Sequence, residues 1–506
     1  MRYLSLLTVA PAVGGAVVMA LPRSRPELAK RVALGWSLAA LVWTVVMWGA
    51  FKAGGPRFQL IESYRWIPTW DARLTLAADG IALVMLALIA LLVPLVILAS
   101  WHEAEAGTRS VPAFFGLLLF LESTMFGVFA AQDVFLFYVF FEVMLVPMYF
   151  LIGSYGGPRR QYAAVKFFLY SLVGGLFMLA AVIGLWVVGG HTFDWQKLVD
   201  ADFATTTERW LFLGFFLAFA IKAPLFPFHT WLPDAGGAAP AGAAALLVGV
   251  LDKVGTFGIL RYCLPLFPNA SRYFAPLALA LALIGVIYGA LLAVGQNDLK
   301  RLVAYTSIAH FGFMGIGIFA FTTQAASGAV FYMVNHGLAT GLLFLLVGMF
   351  VARRGSALVT DFGGAGKLVP LLAGVFLVAG LASLSMPGTS PFVSEFLVLI
   401  GTFTVNKTVA VIATAGIVLA AGYVLWMVQR TIHGTVNPEM SNVDGMRRDL
   451  TVRESVVVAP LIALIIFLGF YPKPVLDVIN PAVKATLTDV GVSDPAPTAV
   501  NPEAGK

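Results

Sequence analysis

Four charged residues stand deep inside long apolar stretches: Glu142, Lys222, Lys253 and Glu395. Glu142 lies nine residues past Asp133, where its stretch begins. At 1.5 Å per residue that is a depth of roughly 13 Å, too far for a carboxylate to snorkel back to water. Lys222 lies twelve residues beyond Trp210, roughly 18 Å along its stretch. Lys253 is equally central, and Glu395 is the sole charge between Lys367 and Lys407. Each such charge costs at least about 2.5 to 3.5 kcal/mol in a bilayer, so all four must face protein or water rather than lipid. Fixed ion pairs holding helices together are the plain alternative, but that work usually falls to Ser, Thr, Asn and small residues. The chemistry that suits these residue types is proton transfer. An amine kept from water releases its proton readily and regains it when a carboxylate approaches. A thousandfold swing in the proton affinity of Lys222, set by the position of Glu142, corresponds to about 4 kcal/mol. Moving one charge against 100 mV takes about 2.3 kcal/mol, so such a switch has the size needed to drive a proton uphill.

Further groups extend the set. His310 and His336 can each give and accept protons and are placed to bridge Lys253 to Glu395, with the hydroxyls of Tyr305, Thr306 and Ser307 beside them. Either histidine taken alone serves equally well as a hydrogen bond between helices. Glu122 is a second isolated carboxylate, expected near Glu142, whereas Lys166 stands close enough to Arg159 and Arg160 to be partly interfacial. Asp252 adjoins Lys253, but neighbours on a helix point about 100° apart, so it either tunes that lysine or faces another helix.

The elements that must position these residues are membrane helices. Of 506 residues, 60% are hydrophobic and 11% charged, a balance without the polar shell of a water-soluble domain. A hydrocarbon core of about 30 Å needs roughly 20 apolar residues per crossing. The sequence predicts an all-α polytopic membrane protein of about fourteen such spans, near 3–21, 32–51, 80–99, 112–131, 134–153, 163–189, 210–232, 240–262, 274–296, 302–322, 327–351, 369–402, 408–429 and 455–471. The first reads as an uncleaved anchor, since no clear A-x-A site follows it. Pro224 and Pro227 interrupt the seventh span, and Pro387 and Pro391 the twelfth, each before a phenylalanine, Phe228 and Phe392. Paired breaks of this kind suggest two repeats around an ion path. The expected organisation is helices one to three in 1–111, a first repeat (helices four to eight) in 112–265, a second, inverted one (nine to thirteen) in 266–432, and helix fourteen with a tail in 433–506. From Leu476 the chain is expected to thin through Asp494, Pro495, Ala496 and Pro497 into a short, mobile external appendage.

The formal net charge of +6 does not imply a nucleic-acid partner, because Lys and Arg are scattered over loops. They orient the spans: placing Arg23, Arg25, Lys30, Arg31, Arg159, Arg160, Lys300, Arg301, Arg353, Arg354, Arg447 and Arg448 in the cytoplasm leaves both termini outside. The long external loop from Lys52 to Asp79 tempers the bias with Arg57, Arg65 and Arg73, accompanied by Glu62, Asp71 and Asp79. The single cysteine, Cys263, excludes an intrachain disulfide and cannot hold an iron–sulfur cluster. The histidines do not cluster as metal ligands, and no phosphate-binding loop is present; Gly312, Gly315 and Gly317 lie inside a span, where small residues let helices approach. Redox chemistry is expected in other chains.

Four segments carry a family resemblance: FFEVMLVPMYFLIG around Glu142, KAPLFPFHTWLPDA from Lys222, LKRLVAYTSIAHFGFMGIGIFA around His310 and MPGTSPFVSEFL ending near Glu395. They resemble the antiporter-like subunits of respiratory complex I, nearest the M type of bacterial NADH-quinone oxidoreductase. The resemblance implies fourteen helices with two inverted five-helix repeats and a proton path through this chain. It implies that Glu142 pairs with Lys222, that Lys253 is the central lysine, that His310 and His336 connect, and that Glu395 faces the exit. It further implies L-type and N-type neighbours in a cytoplasmic (inner) membrane, with NADH, FMN, iron–sulfur clusters and quinone bound by partner subunits and no cofactor in this chain. A Glu rather than a Lys at position 395, and the absence of a long lateral helix after span fourteen, separate it from the L and N types. Two departures stand out. After Trp231-Leu232-Pro233-Asp234-Ala235 the family usually continues with His, a variable residue, Glu, Ala and Pro, where Gly236, Gly237, Ala238, Ala239 and Pro240 stand here, and Asp252 replaces a usually apolar residue. The competing resemblance is to the D subunit of multisubunit sodium/proton antiporters, which also carries a Glu in its twelfth span. A structural spacer with dispensable buried charges is the third reading.

Overall fold

Capping residues mark where apolar runs become helices. In the computed structural model, which describes residues 2–105 and 109–495, Asp79, Asp133, Asp298 and Thr322 each accept a hydrogen bond from a backbone N–H of the first helical turn that follows. Thr451 and Glu454 do so reciprocally at the start of the last span. The helices used below are α1 (Tyr3–Ala20), α2 (Pro26–Ala50), α3 (Gly80–Ala99), α4 (Val111–Ala130), α5 (Val134–Tyr155) and α6 (Arg160–Val188). After them come α7 (Thr205–Lys222), α8 (Trp231–Ala238), α9 (Ala241–Leu266), α10 (Pro268–Val294), α11 (Leu299–Phe319) and α12 (Thr323–Arg354). The chain continues through α13 (Pro370–Ser383), α14 (Ser390–Phe403), α15 (Lys407–Ile432), α16 (Val452–Phe470) and α17 (Lys473–Val490).

Twelve of these helices are long and apolar enough to cross a membrane. The two spans expected to be broken account for the rest. The seventh ends at Lys222 and resumes as the short α8, and the twelfth is divided into α13 and α14 by residues 384–389. A side chain bonds the backbone beside each break, and at the first it satisfies a carbonyl freed where α7 ends. The Trp231 indole N–H donates to the carbonyl of Ile221 (2.9 Å). The Asn335 side-chain amide on α12 donates to the carbonyl of Ser390 (3.0 Å).

Helices apolar all round belong in the interior. The apolar window of α9 is wholly buried and those of α11 and α12 nearly so, whereas α2, α10, α15 and α16 expose most of theirs. The helices bearing Lys253, His310 and His336 are therefore the central ones. Glycines bring them close: a Cβ on Gly337 of α12 would stand 2.8 Å from the carbonyl oxygen of Gly249 on α9, and one on Gly312 would stand 2.6 Å from the Ala282 oxygen of α10. Gly312, Gly315 and Gly317 are packing residues, as expected.

Two expectations are corrected. The stretch from Lys52 to Asp79 contains an antiparallel hairpin, β1 (Gln59–Ile67) and β2 (Ala72–Ala78). Its period-two pattern is masked by the charges on its exposed face. Glu62 on β1 accepts from the backbone N–H groups of Leu4 (2.8 Å) and Ser5 (3.1 Å), tying the hairpin to the positive end of α1. The region from Leu476 is no loose appendage either. α17 buries Val478, Ile479, Ala482, Val483, Leu487 and Val490 along one face, a period-3.6 stripe hidden by Lys473, Asp477, Lys484 and Asp489. It packs against α3, the end of α9, α10 and α12. Arg57 beside β1 forms an ion pair with Asp489; burial pushes that carboxyl above its ordinary value while the guanidinium pulls it back. Ala496 and Pro497, the last of the named tail residues, lie outside the described residues.

Candidate functional site

Glu142 stands on α5 just before Met144, where helices Val134–Val143 and Leu145–Tyr155 meet. It is half-buried, and its Oε1 has no hydrogen-bond partner. The carboxylate lies against Gly175 of α6, so closely that a Cβ there would fall 1.6 Å from Oε1. Lys222, fully buried, is the last residue of α7. Its ammonium sits 5.6 Å and 5.3 Å from the ring centres of Phe141 and Phe167 and has no hydrogen-bond partner. The fold thus brings Glu142 and Lys222 to adjoining helices, but not into the ion pair expected of them: Phe141 underlies the ammonium, while the next residue on the same helix is turned about 100° away toward α6.

Lys253, His336, His310, Tyr332 and Glu395 lie in succession, hydrogen-bonded at each end and joined in the middle by ring proximity alone. The Lys253 ammonium donates to Nδ1 of His336 (2.6 Å) and to the carbonyl of Val248, which lies in a π-helical turn spanning Leu247–Leu251. His336 and His310 face each other with ring centres 5.1 Å apart, and His310 stands 5.8 Å from the ring of Tyr332. The Tyr332 hydroxyl donates to Oε2 of Glu395 (3.3 Å), and the Ser385 hydroxyl donates to the same oxygen. Ser385 lies in the break between α13 and α14 with φ +60°, a left-handed backbone conformation unusual for serine, and there its hydroxyl meets Glu395. Lys253, His336, His310, Tyr332 and Glu395 are all buried.

The structure places both histidines between Lys253 and Glu395, and the hydroxyls near them differ from those expected. Thr306 and Ser307 both donate to the carbonyl of Val303 in their own helix, and Tyr305 lies beside Arg301. Tyr332 and Ser385 take the role instead. Tyr332 is four residues before His336, on one face of α12, but that spacing does not by itself mark it as a site residue, and Ser385 has no such cue.

The remaining candidates separate. Both carboxylate oxygens of Glu122 are buried without a hydrogen-bond partner. On α4 its neighbour Ser123 donates to the carbonyl of Thr8 on α1, while the Cα of Gly127 faces Phe140 of α5. Five residues from Gly127, Glu122 points about 140° away from that α5-facing side. Lys166 is partly exposed and pairs with Asp234 (2.7 Å), which also holds Arg301 (2.5 Å). Gly237 leaves room for that arginine, since a Cβ there would come within 2.8 Å of its Cγ. Asp252 is buried, forms no ion pair with Lys253, and has no hydrogen-bond partner on either oxygen. No group of three or more metal-ligating residues occurs among the described residues.

Residues 131–420, more than half of the chain, match the family described as NADH:quinone oxidoreductase/Mrp antiporter, transmembrane. A Mycobacterium tuberculosis protein named NADH-quinone oxidoreductase subunit M is 47% identical, over 99% of this chain and 96% of its own length. Among solved structures, a chain of respiratory complex I from Thermus thermophilus with bound NADH superposes with a TM-score of 0.87 at 31% identity, covering 97% of this chain and all of that one. A chain of the Mrp complex from Dietzia superposes with a TM-score of 0.84 at 22% identity over 97% of this chain and all of that one, a likeness of fold alone. The chain is a multi-pass membrane protein that belongs to the NADH:quinone oxidoreductase/Mrp antiporter transmembrane family, and its full-length likeness is to the subunits named M.

Proposed function

We propose that this chain is the proton-translocating M-type subunit of the membrane arm of a respiratory NADH-quinone oxidoreductase. The observation that carries the reading is the buried series Lys253, His336, His310, Tyr332, Glu395, each member a group able to hold or pass a proton, within a chain similar over its full length to subunits of that name. Glu142 and Lys222 act as the switching pair: the carboxylate swings from Gly175 toward the ammonium to retain its proton and away to release it. Lys253 receives the proton, the histidines and Tyr332 pass it on, and Glu395 delivers it outward. Glu122 on α4 is a further buried carboxylate, turned away from the α5 face that leads to Glu142. Helices four to eight and nine to thirteen serve as two inverted repeats, each contributing one broken span.

L-type and N-type subunits are the expected neighbours, in the cytoplasmic (inner) membrane of the cell, with both termini on the external side. NADH, FMN, iron–sulfur clusters and quinone belong to partner subunits. Isolation of the chain with its companions from native membranes tests the assignment. Flavin- and iron–sulfur-bearing NADH-oxidising subunits are expected; small antiporter subunits in their place would overturn it in favour of a sodium/proton antiporter. The switch is tested at Gly175. Gly175→Ala is expected to assemble normally yet lower proton translocation by about tenfold, because the new methyl displaces the Glu142 carboxylate by more than an ångström. Undiminished translocation by an assembled Gly175→Ala complex would show that the position of that carboxylate does not matter.

A further inference from the structure

The proposed path leaves a gap between its two halves: Lys222 ends α7 without a partner, and Lys253 is already engaged with α12. Asp252 lies in that gap. Helix α9 presents two polar faces. Gly249 and Lys253, four residues apart, face α12, where Gly337 and His336 meet them. Gly255 and Gly258 face α7: a Cβ on Gly255 would stand 2.5 Å from the backbone nitrogen of Ala223, the residue after Lys222, and one on Gly258 would enter the Phe219 ring. Asp252 is three residues after Gly249 and three before Gly255, which places it on α9 between the face toward α12 and the face toward the end of α7. It adjoins Lys253 in sequence, and the residue after Lys222 packs against the same helix at Gly255. Both of its oxygens are buried and unpartnered. Leaving a carboxylate in this condition is costly unless it interacts with nearby cations, and the two lysines flank it.

We propose that Asp252 is a proton-accepting station between Lys222 and Lys253, joining the two halves of the path. The inference rests on the proton-translocating reading above. The Lys222 ammonium gives a proton to the Asp252 carboxylate, leaving a neutral amine and a neutral carboxylic acid. The acid then protonates the neutral amine of Lys253, restoring the carboxylate and forming the ammonium that faces His336. One proton advances and no net charge is gained or lost. The flexible four-carbon arms of the lysines supply the movement the transfer requires.

The test is proton translocation by the assembled complex in sealed membrane vesicles, comparing Asp252→Asn, Asp252→Glu and Asp252→Leu with Lys222→Met. Asp252→Asn, which keeps the shape but cannot ionise, is expected to slow translocation by about tenfold or more. Asp252→Glu should recover most of the rate, whereas a merely space-filling role would be better served by Asn. Redox-induced infrared difference spectra should contain a protonated-carboxyl band that disappears in Asp252→Asn. Should that variant fail to assemble, Asp252→Leu removes the buried charge altogether and is read in the same way. Full translocation in either assembled Asp252→Asn or Asp252→Leu, alongside its loss in Lys222→Met, would overturn the station and leave the wider reading intact. Full translocation in Lys222→Met as well would overturn both.

Discussion

Replacing Lys253 by Met is expected to leave the complex assembled and to slow coupled proton translocation by about a hundredfold. Met fills nearly the same space along α9 and removes a buried charge, so folding should not suffer. Transport is another matter. Among the described residues the Lys253 ammonium is the one cation bonded to the histidine series, through Nδ1 of His336. Without it the proton must reach His336 with no stabilised holding point before the ring. If that lack raises the barrier by an amount like the insertion cost of an unsupported charge, about 2.5 to 3.5 kcal/mol, the rate falls by about two orders of magnitude. Electron transfer to quinone should slow with it if the two are tightly coupled. The measurement is the initial rate of acidification in sealed inverted vesicles, normalised to the amount of assembled complex. A Lys253→Met rate within twofold of the unaltered chain would remove Lys253 from the path. Lys253→Arg separates charge from proton exchange, because guanidinium does not release its proton in proteins; it should be as inactive as Met.

The second large effect concerns stability. Arg353, near the end of α12, donates to both oxygens of Glu454 on α16 (2.8 and 2.7 Å) and to the carbonyls of Arg448, Met349 and Asp449. Glu454 in turn accepts from the backbone N–H of Thr451 (2.9 Å) in the capping box that starts α16. Arg353→Ala removes the cation from that carboxylate and the donor from the carbonyls of Arg448 and Asp449, and the loss is expected to be about 3 to 5 kcal/mol. It should be seen as a lower thermal midpoint of the purified complex and reduced chain in the membrane. Glu454→Gln retains an acceptor and part of the cap, and should cost less. An unchanged midpoint in Arg353→Ala would mean that the pair contributes nothing to holding α16.

The sequence made the buried charges legible because an ionisable residue in a 20-residue apolar run has no neutral background against which to hide. Glu142 and Lys253 lie inside helices with near-matching bounds, whereas Lys222 ends its helix at the first break and Glu395 lies on the short helix that follows the second. Prolines 224, 227, 387 and 391 likewise marked two true interruptions. Tyr332 and Ser385 were not legible as site residues, for opposite reasons. A tyrosine in a membrane span is ordinary, and only the packing of α12 against α14 turns its hydroxyl to Glu395. The Ser385 hydroxyl reaches the same carboxylate because the backbone in the break takes a left-handed φ, which no local pattern in LASLSMPG announces. The distance between Glu142 and Lys222 is also beyond sequence reasoning: spacing gives each residue a depth, not the angle at which its helix is rotated. The hairpin and α17 were missed because hydropathy averages over a window, and both elements alternate apolar with charged residues inside it.

The placement of α17 has a mechanical consequence. It lies across α3, the end of α9, α10 and α12, elements drawn from both halves of the bundle, and its backbone comes so near α3 that a Cβ on Gly80 would fall 1.9 Å from the Val478 oxygen. Arg57 pins its far end to the hairpin, which in turn grips α1 through Glu62. Transporters that alternate access by rocking one half against the other need a free seam between them. Here α17 fastens α3, the end of α9, α10 and α12 to one another on one side, an arrangement that favours side-chain swings, ring flips and hydroxyl reorientation over displacement of those helices.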